Sequence, residues 1–148
     1  MLRITKETDY GILLLGKMNS DDSGEIHNAR MLADASGISS AMVAKILHHL
    51  ARGGILISTR GAGGGYRLER PADSISVAEV IRAIEGPISL VQCGSDPGAC
   101  EHEQGCPTRV NWSRINHVVE DALERMPVSE MATRCDCPLL TLPIETTA

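Results

Sequence analysis

Three cysteines, Cys93, Cys100 and Cys106, fall in one segment with the spacing C-x6-C-x5-C. Cysteine thiolates are soft metal ligands, so this grouping points to a metal centre. Gly94, Gly98 and Gly105 lie in the same segment. Glycine lets the backbone wrap close to a bulky cofactor, and amides near the sulfurs tune its potential. Zinc sites usually pair cysteines two to four residues apart. The wider spacing here suits a loop around a larger object, an iron–sulfur cluster of the 2Fe–2S or 4Fe–4S type. Three thiolates are one short of the usual four. Three reduced surface thiols without a metal are the plainer alternative, but exposed thiols oxidise. Cys135 and Cys137 form a separate C-x-C pair in the C-terminal stretch. That pair is a further thiol source for a metal, although a lone C-x-C in a tail is usually a variable feature.

A second constellation is basic. Net charge is −5, which speaks against an indiscriminate nucleic-acid binder. The charge is uneven, with residues 1–75 at +1 and residues 76–148 at −6. Within residues 38–70, Lys45, Arg52, Arg60, Arg67 and Arg70 face a single acid, Glu69. One basic face on an acidic chain is the footprint of phosphate contact. Ser39, Ser40, Ala41, Met42 and Lys45 open a predicted helix. Serine donates or accepts, alanine and methionine meet thymine methyls, and lysine reaches guanine or phosphate. Arg60 and the backbone of Gly61, Gly63, Gly64 and Gly65 can approach a phosphate or the minor groove, because no side chain intervenes. No Gly-Lys-Ser/Thr follows the glycines, so they are not a nucleotide-binding P-loop. No Ser-His-Asp set, Cys-His pair or carboxylate pair stands out, and the chain is read as a non-enzyme.

These residues need elements to hold them. A chain of 148 residues, 43% hydrophobic, can bury a real core. It has no Phe, one Trp and two Tyr, which favours packed helices over an aromatic-rich sandwich. A first helix is predicted over 5–18, capped by Thr5 and apolar on most sides, hence buried between the domain and a partner chain. Residues 20–24 form a turn. A second helix covers 27–36, offering Ala29, Met31, Leu32 and Ala35 to the core and ending at Gly37. Ser39 and Ser40 offer N-caps for a third helix, 41–53, with Val43, Ile46, Leu47 and Leu50 inward. Helix, glycine turn and apolar-faced helix make the helix-turn-helix order. Strands over 55–60 and 66–70 flank the glycine loop as a wing. Ser76 and Glu79 form a capping box for a fourth helix, 77–85, ended by Gly86-Pro87. The cysteine segment, 92–106, is read as a loop. A long helix follows over 107–126 with Pro107 in its first turn. Trp112, Ile115, Val119, Ala122 and Met126 on it have the spacing of a coiled-coil seam. Pro127 stops this helix, and Ser129 is placed to cap one more turn.

The segments MLRITKETDYGILLL, GISSAMVAKILHHLARGGIL and RGAGGGYRLERPADSISVAEVIRAIEGPISL, the three cysteines, and CPTRVNWSRIN occur in this order. Together they resemble the family of iron–sulfur-cluster winged-helix transcription repressors, of the Isc-regulator and nitric-oxide-sensor (NsrR) type. The branch that regulates SUF cluster assembly is the nearest. The resemblance spans about residues 1–132. It implies a homodimer on a palindromic double-stranded DNA operator. It also implies Cys93, Cys100 and Cys106 as cluster ligands, and a long helix that pairs two chains. Isc-type members place a histidine three residues after the third cysteine, where this chain has Arg109. The fourth ligand is therefore open. Asp9 matches an aspartate that nitric-oxide-sensing members contribute from the partner subunit; it equally suits the positive end of the first helix. His102 comes next, then Glu7, Glu101 and Glu103. His48 and His49 are read as facing solvent or phosphate, and His27 and His117 carry no signal.

The expected fold is mainly α with a small β-hairpin wing. Residues 1–86 form a winged helix-turn-helix domain, 87–106 the cluster-binding loop, 107–134 the dimerisation helix and 135–148 a tail. The expected function is a cluster-dependent repressor of iron–sulfur assembly genes. A nitric-oxide or redox sensor on the same scaffold, a zinc-stabilised regulator and a ferredoxin-like electron carrier are the alternatives; the basic helix and wing speak against the last. No run of 18 apolar residues and no signal-peptide pattern is present, so a cytoplasmic protein without membrane association is expected.

Overall fold

The computed structural model describes residues 2–20, 24–95, 98, 100–101 and 105–132. Helices α1 (Lys6–Ser20), α2 (Ala29–Ser36) and α3 (Ser40–Arg52) precede a hairpin of β1 (Leu56–Thr59) and β2 (Gly65–Leu68). Then come α4 (Val77–Ile84), a single turn α5 (Gln92–Ser95), the long α6 (Arg109–Glu124) and the short α7 (Val128–Ala132). Among the described residues the architecture is mainly helical with one antiparallel two-stranded sheet, as the sequence predicts.

The core is aliphatic. Leu14 and Leu15 of α1, Val43, Ile46, Leu47 and Leu50 of α3, and Val80 and Ile81 of α4 are fully buried together. The α3 positions are the four predicted. On α2 Leu32 and Ala33 are inward and Ala29 packs partly buried against the core, while Met31 and Ala35 are exposed, which corrects two of the four expected positions. The expected helix start was also early. Asn28 caps α2 by accepting from the Met31 amide at 2.8 Å, and the buried His27 before it pairs with the wing.

Local signals set the other boundaries. Gly37 ends α2 in the left-handed conformation, and the Ser39 hydroxyl accepts from the Met42 amide to start α3. Ser76 and Glu79 form the full reciprocal capping box. The Thr5 hydroxyl accepts from the Glu7 amide at the start of α1. The strands are shorter than predicted. Leu56 pairs with Leu68 and Thr59 with Gly65.

α6 begins at Arg109, not at Pro107, and none of its residues is fully buried. It is fastened to the domain by polar contacts. The Asn116 amide donates to the Ile88 carbonyl at 3.1 Å and accepts from the Leu90 amide at 2.9 Å. Arg82 of α4 donates to Glu120 at 2.5 Å and meets Glu124 at 2.6 Å. Beyond α6 the chain returns to the core. The Val77 amide bonds Met126, the Val128 amide bonds Ile75, and Val128 is buried.

Candidate DNA-reading surface and cysteine segment

The burial of α3 divides it lengthwise. Val43, Ile46, Leu47 and Leu50 are sealed in the core, while Ser40, Ala41, Ala44, Lys45 and His48 form an exposed stripe on the opposite side. Residues three and four apart share a helix face, so Ala44 and His48 join Ala41 and Lys45. Ala44 was missed in the sequence, although the helical period could have found it. Ser39 is exposed but its hydroxyl is engaged as the cap, and Met42 is half-buried against the core.

Lys45 has a partner within the chain. Its ammonium donates to Glu7 of α1 at 2.6 Å. The sequence marks Glu7 only as a weak candidate metal ligand. The contact joins residues 38 apart in sequence, so no local pattern announces it.

The wing glycines divide by role. A Cβ on Gly65 would lie 2.5 Å from the His27 carbonyl oxygen, and one on Gly64 would lie 2.9 Å from that of Gly61. These two are required by close backbone approach. His27 and Tyr66 exchange two amide–carbonyl bonds of 2.8 Å, which lashes the segment before α2 to strand β2 of the wing. Arg60, Gly61 and Gly63 are exposed at the tip, and Gly61 takes a φ of 111°. That backbone conformation is open to glycine and strained for other residues.

The cysteine segment is not wholly a loop, because Cys93 lies on the helical turn α5. Cys100 and Cys106 are free, half-buried thiols. The Thr108 hydroxyl, 3.3 Å from Cys106 Sγ, is the largest influence holding that thiol below its ordinary pKa; backbone amides of Thr108 and Arg109 and the Arg109 charge add to it. The thiolate is the form that binds iron. The donor set, three cysteines with one biased toward thiolate, fits an iron–sulfur group. Arg109 opens α6 and supplies no metal-binding atom. Asp9 is exposed on α1 and lines a groove with Leu13 and Met131 of α7. His102, Glu103, Cys135 and Cys137 lie outside the described residues. Among the described residues no cluster of three metal-binding side chains is assembled within the chain.

The linker into this segment is tied to α1. Glu85 accepts from the Thr5 amide at 3.0 Å and from the hydroxyls of Thr5 and Thr8 at 2.6 Å each. The Leu2 amide donates to the Ser89 carbonyl.

On the outward side of α6, Ile115 and Val118 are exposed, with Val118 at 68%. Trp112, Ala122 and Met126 are exposed and Val119 is half-buried. The predicted seam is thus only partly outward: Val119 is half-buried and Trp112 lines a groove with Ser89 and Val91 of the linker, while Ile115 shares an exposed groove with Val118. No helix among the described residues is long and apolar enough to cross a membrane.

Residues 4–134 match the model of the Rrf2 family, described as iron-dependent transcriptional regulator. Among solved structures, the chain is similar to CymR, the global cysteine regulator of B. subtilis, at 26% identity and TM-score 0.65, over 89% of this chain and 97% of that one. Staphylococcus aureus CymR is similar at 26% identity and TM-score 0.61, over 89% and 99%. T. potens IscR shares the fold at 22% identity and TM-score 0.61, over 88% and 85%.

Proposed function

The chain belongs to the Rrf2 family of transcriptional regulators, and from that premise we propose that it is a homodimeric repressor whose grip on a palindromic operator depends on an iron–sulfur cluster. The division of α3 carries the DNA reading. A helix sealed on one side and lined on the other by Ala41, Ala44, Lys45 and His48 can lie in a major groove without exposing its core. Arg60 and the open wing tip then meet the flanking backbone or minor groove. The outward stripe of α6 pairs two chains and sets the spacing of their reading helices.

Cys93, Cys100 and Cys106 would hold the cluster, with Asp9 of a second chain as the candidate fourth ligand. When bound, the cluster supplies a redox-sensitive soft-metal centre. The rest falls to the chain's own residues. Cys93 on α5 and Cys106 just before α6 bracket the segment joining these two helices. Asn116 and Arg82 fix α6 to the linker and to α4, and α4 packs on α3. A change in the order of the cysteine segment thereby reaches the spacing of the two reading heads. Half-sites lie a helical turn apart, so a small change in spacing costs affinity. Resemblance to the SUF branch suggests cluster-assembly genes as targets.

Likeness to the B. subtilis cysteine regulator favours a second reading, the same DNA-binding scaffold without a cluster. Selection from a randomised duplex library, using anaerobically purified protein before and after iron chelation, separates the two. Enrichment of a palindrome only before chelation supports the cluster-dependent repressor. Equal enrichment in both supports the second reading. No enriched sequence contradicts both.

A further inference from the structure

We propose that Glu7 is a specificity-determining residue of the reading surface and acts through Lys45. The inference rests on the DNA-reading role proposed for α3. Lys45 lies on the exposed stripe of α3 and is itself 53% exposed, yet its ammonium is bonded to Glu7 Oε1 at 2.6 Å. Glu7 is held in place. Its amide bonds the Thr5 hydroxyl, and Thr5 and the fully buried Thr8 on either side are both gripped by Glu85. The first turn of α1 is a fixed mount that sets one carboxylate beside the lysine of the reading helix.

The pair changes what Lys45 brings to DNA. Non-specific binding is driven by cations that release counterions from phosphate. A lysine already neutralised by a carboxylate adds no net charge to that term. Base reading works differently, because it needs a donor in a fixed position. Lys45 has three N–H donors, one of which is used by Glu7, and the other two remain for guanine O6 or N7. Holding one N–H on Glu7 also restricts a side chain that is otherwise long and mobile. Glu7 therefore subtracts from sequence-blind affinity while leaving, and orienting, the base-reading donors. The result is a larger ratio of specific to non-specific binding.

The test uses the full-length protein, one unselected DNA duplex and a duplex library with a randomised centre. Glu7→Gln should tighten binding to the unselected duplex about fivefold at low salt and steepen the log Kd against log salt slope by about one. Enrichment from the library should fall by a similar factor. In a Lys45→Ala background the Glu7→Gln effect should largely vanish, since the two residues act as one unit. An unchanged slope and enrichment in Glu7→Gln would overturn the inference, as would a full effect in the Lys45→Ala background. Failure of the wild-type protein to enrich any sequence would overturn the DNA reading itself, and the role of Glu7 with it.

Discussion

The guanidinium of Arg82, on α4, donates to the carboxylate of Glu120, on α6, at 2.5 Å. Its other terminal nitrogen meets Glu124, so one side chain clasps two successive turns of the long helix. α6 has no fully buried residue. Its placement therefore leans on polar contacts of this kind, with the partly buried Leu123 adding apolar packing against the core.

Arg82→Ala should loosen α6 and destabilise the protein by about 1–2 kcal/mol, the range for charge-assisted hydrogen bonds at a partly exposed site. Arg82→Lys should recover less than half of that, because an ammonium cannot span two carboxylates as a planar fork does. Urea unfolding at low and high salt measures both, with the larger loss at low salt.

Glu85 gives a pH-dependent contribution. Burial opposes its charged form, but hydrogen bonds from Thr5 and Thr8 and the Arg3 charge outweigh it, and its pKa is lowered. A carboxylate with a depressed folded pKa stabilises the fold above its unfolded pKa, and that stability is lost as pH falls through the folded value. Glu85→Gln should therefore cost about 1–3 kcal/mol near neutral pH. The difference from wild type should shrink as pH drops through the acidic carboxylate range. Thermal melts across that range would show it.

Gly65→Ala should disturb the loop end of the wing ladder, where Gly65 pairs with Thr59. The new methyl would stand 2.5 Å from the His27 carbonyl oxygen, which is held in place by accepting from the Tyr66 amide. A loss of about 1–3 kcal/mol is expected for such overpacking. Gly63→Ala is the control, since nothing lies within 4 Å of its added Cβ. Calorimetric melting of the two variants should separate them clearly.

Much of the winged-helix half is legible in the sequence because its signals are local. The period of Val43, Ile46, Leu47 and Leu50 marks the buried side of α3, and Ser76 with Glu79 marks the start of α4. What escaped depends on contacts between distant residues. Glu7 and Lys45 are joined only by the docking of α1 on α3. The exposure of Met31 and the burial of Ala33 follow from how α2 is rotated on the core, which composition does not fix. The single turn carrying Cys93 is too short to leave a periodic trace. Pro107 suits a helix start, but the first turn of α6 begins two residues later, and its outward stripe includes Val118 because the helix docks through Asn116, Glu120 and Glu124.

Self-association should run through that stripe. Val118→Asp places a charge where an apolar face would otherwise be covered, and burying an unpaired charge is strongly unfavourable. Because Val118 is 68% exposed in the single chain, the variant should keep its fold. Sedimentation should find a folded monomer where wild type is a dimer. A Val118→Asp protein that remains dimeric at low concentration would exclude this stripe from the interface.

The most direct test of the account is iron and acid-labile sulfide per chain in anaerobically purified protein. Wild type should carry both in matching amounts. Cys93→Ser, Cys100→Ser and Cys106→Ser should each lose most of them, since each thiolate is a strong iron ligand. The Cys135→Ser/Cys137→Ser double variant should retain them. Wild-type protein holding zinc without sulfide, or no metal at all, would contradict the cluster-dependent repressor.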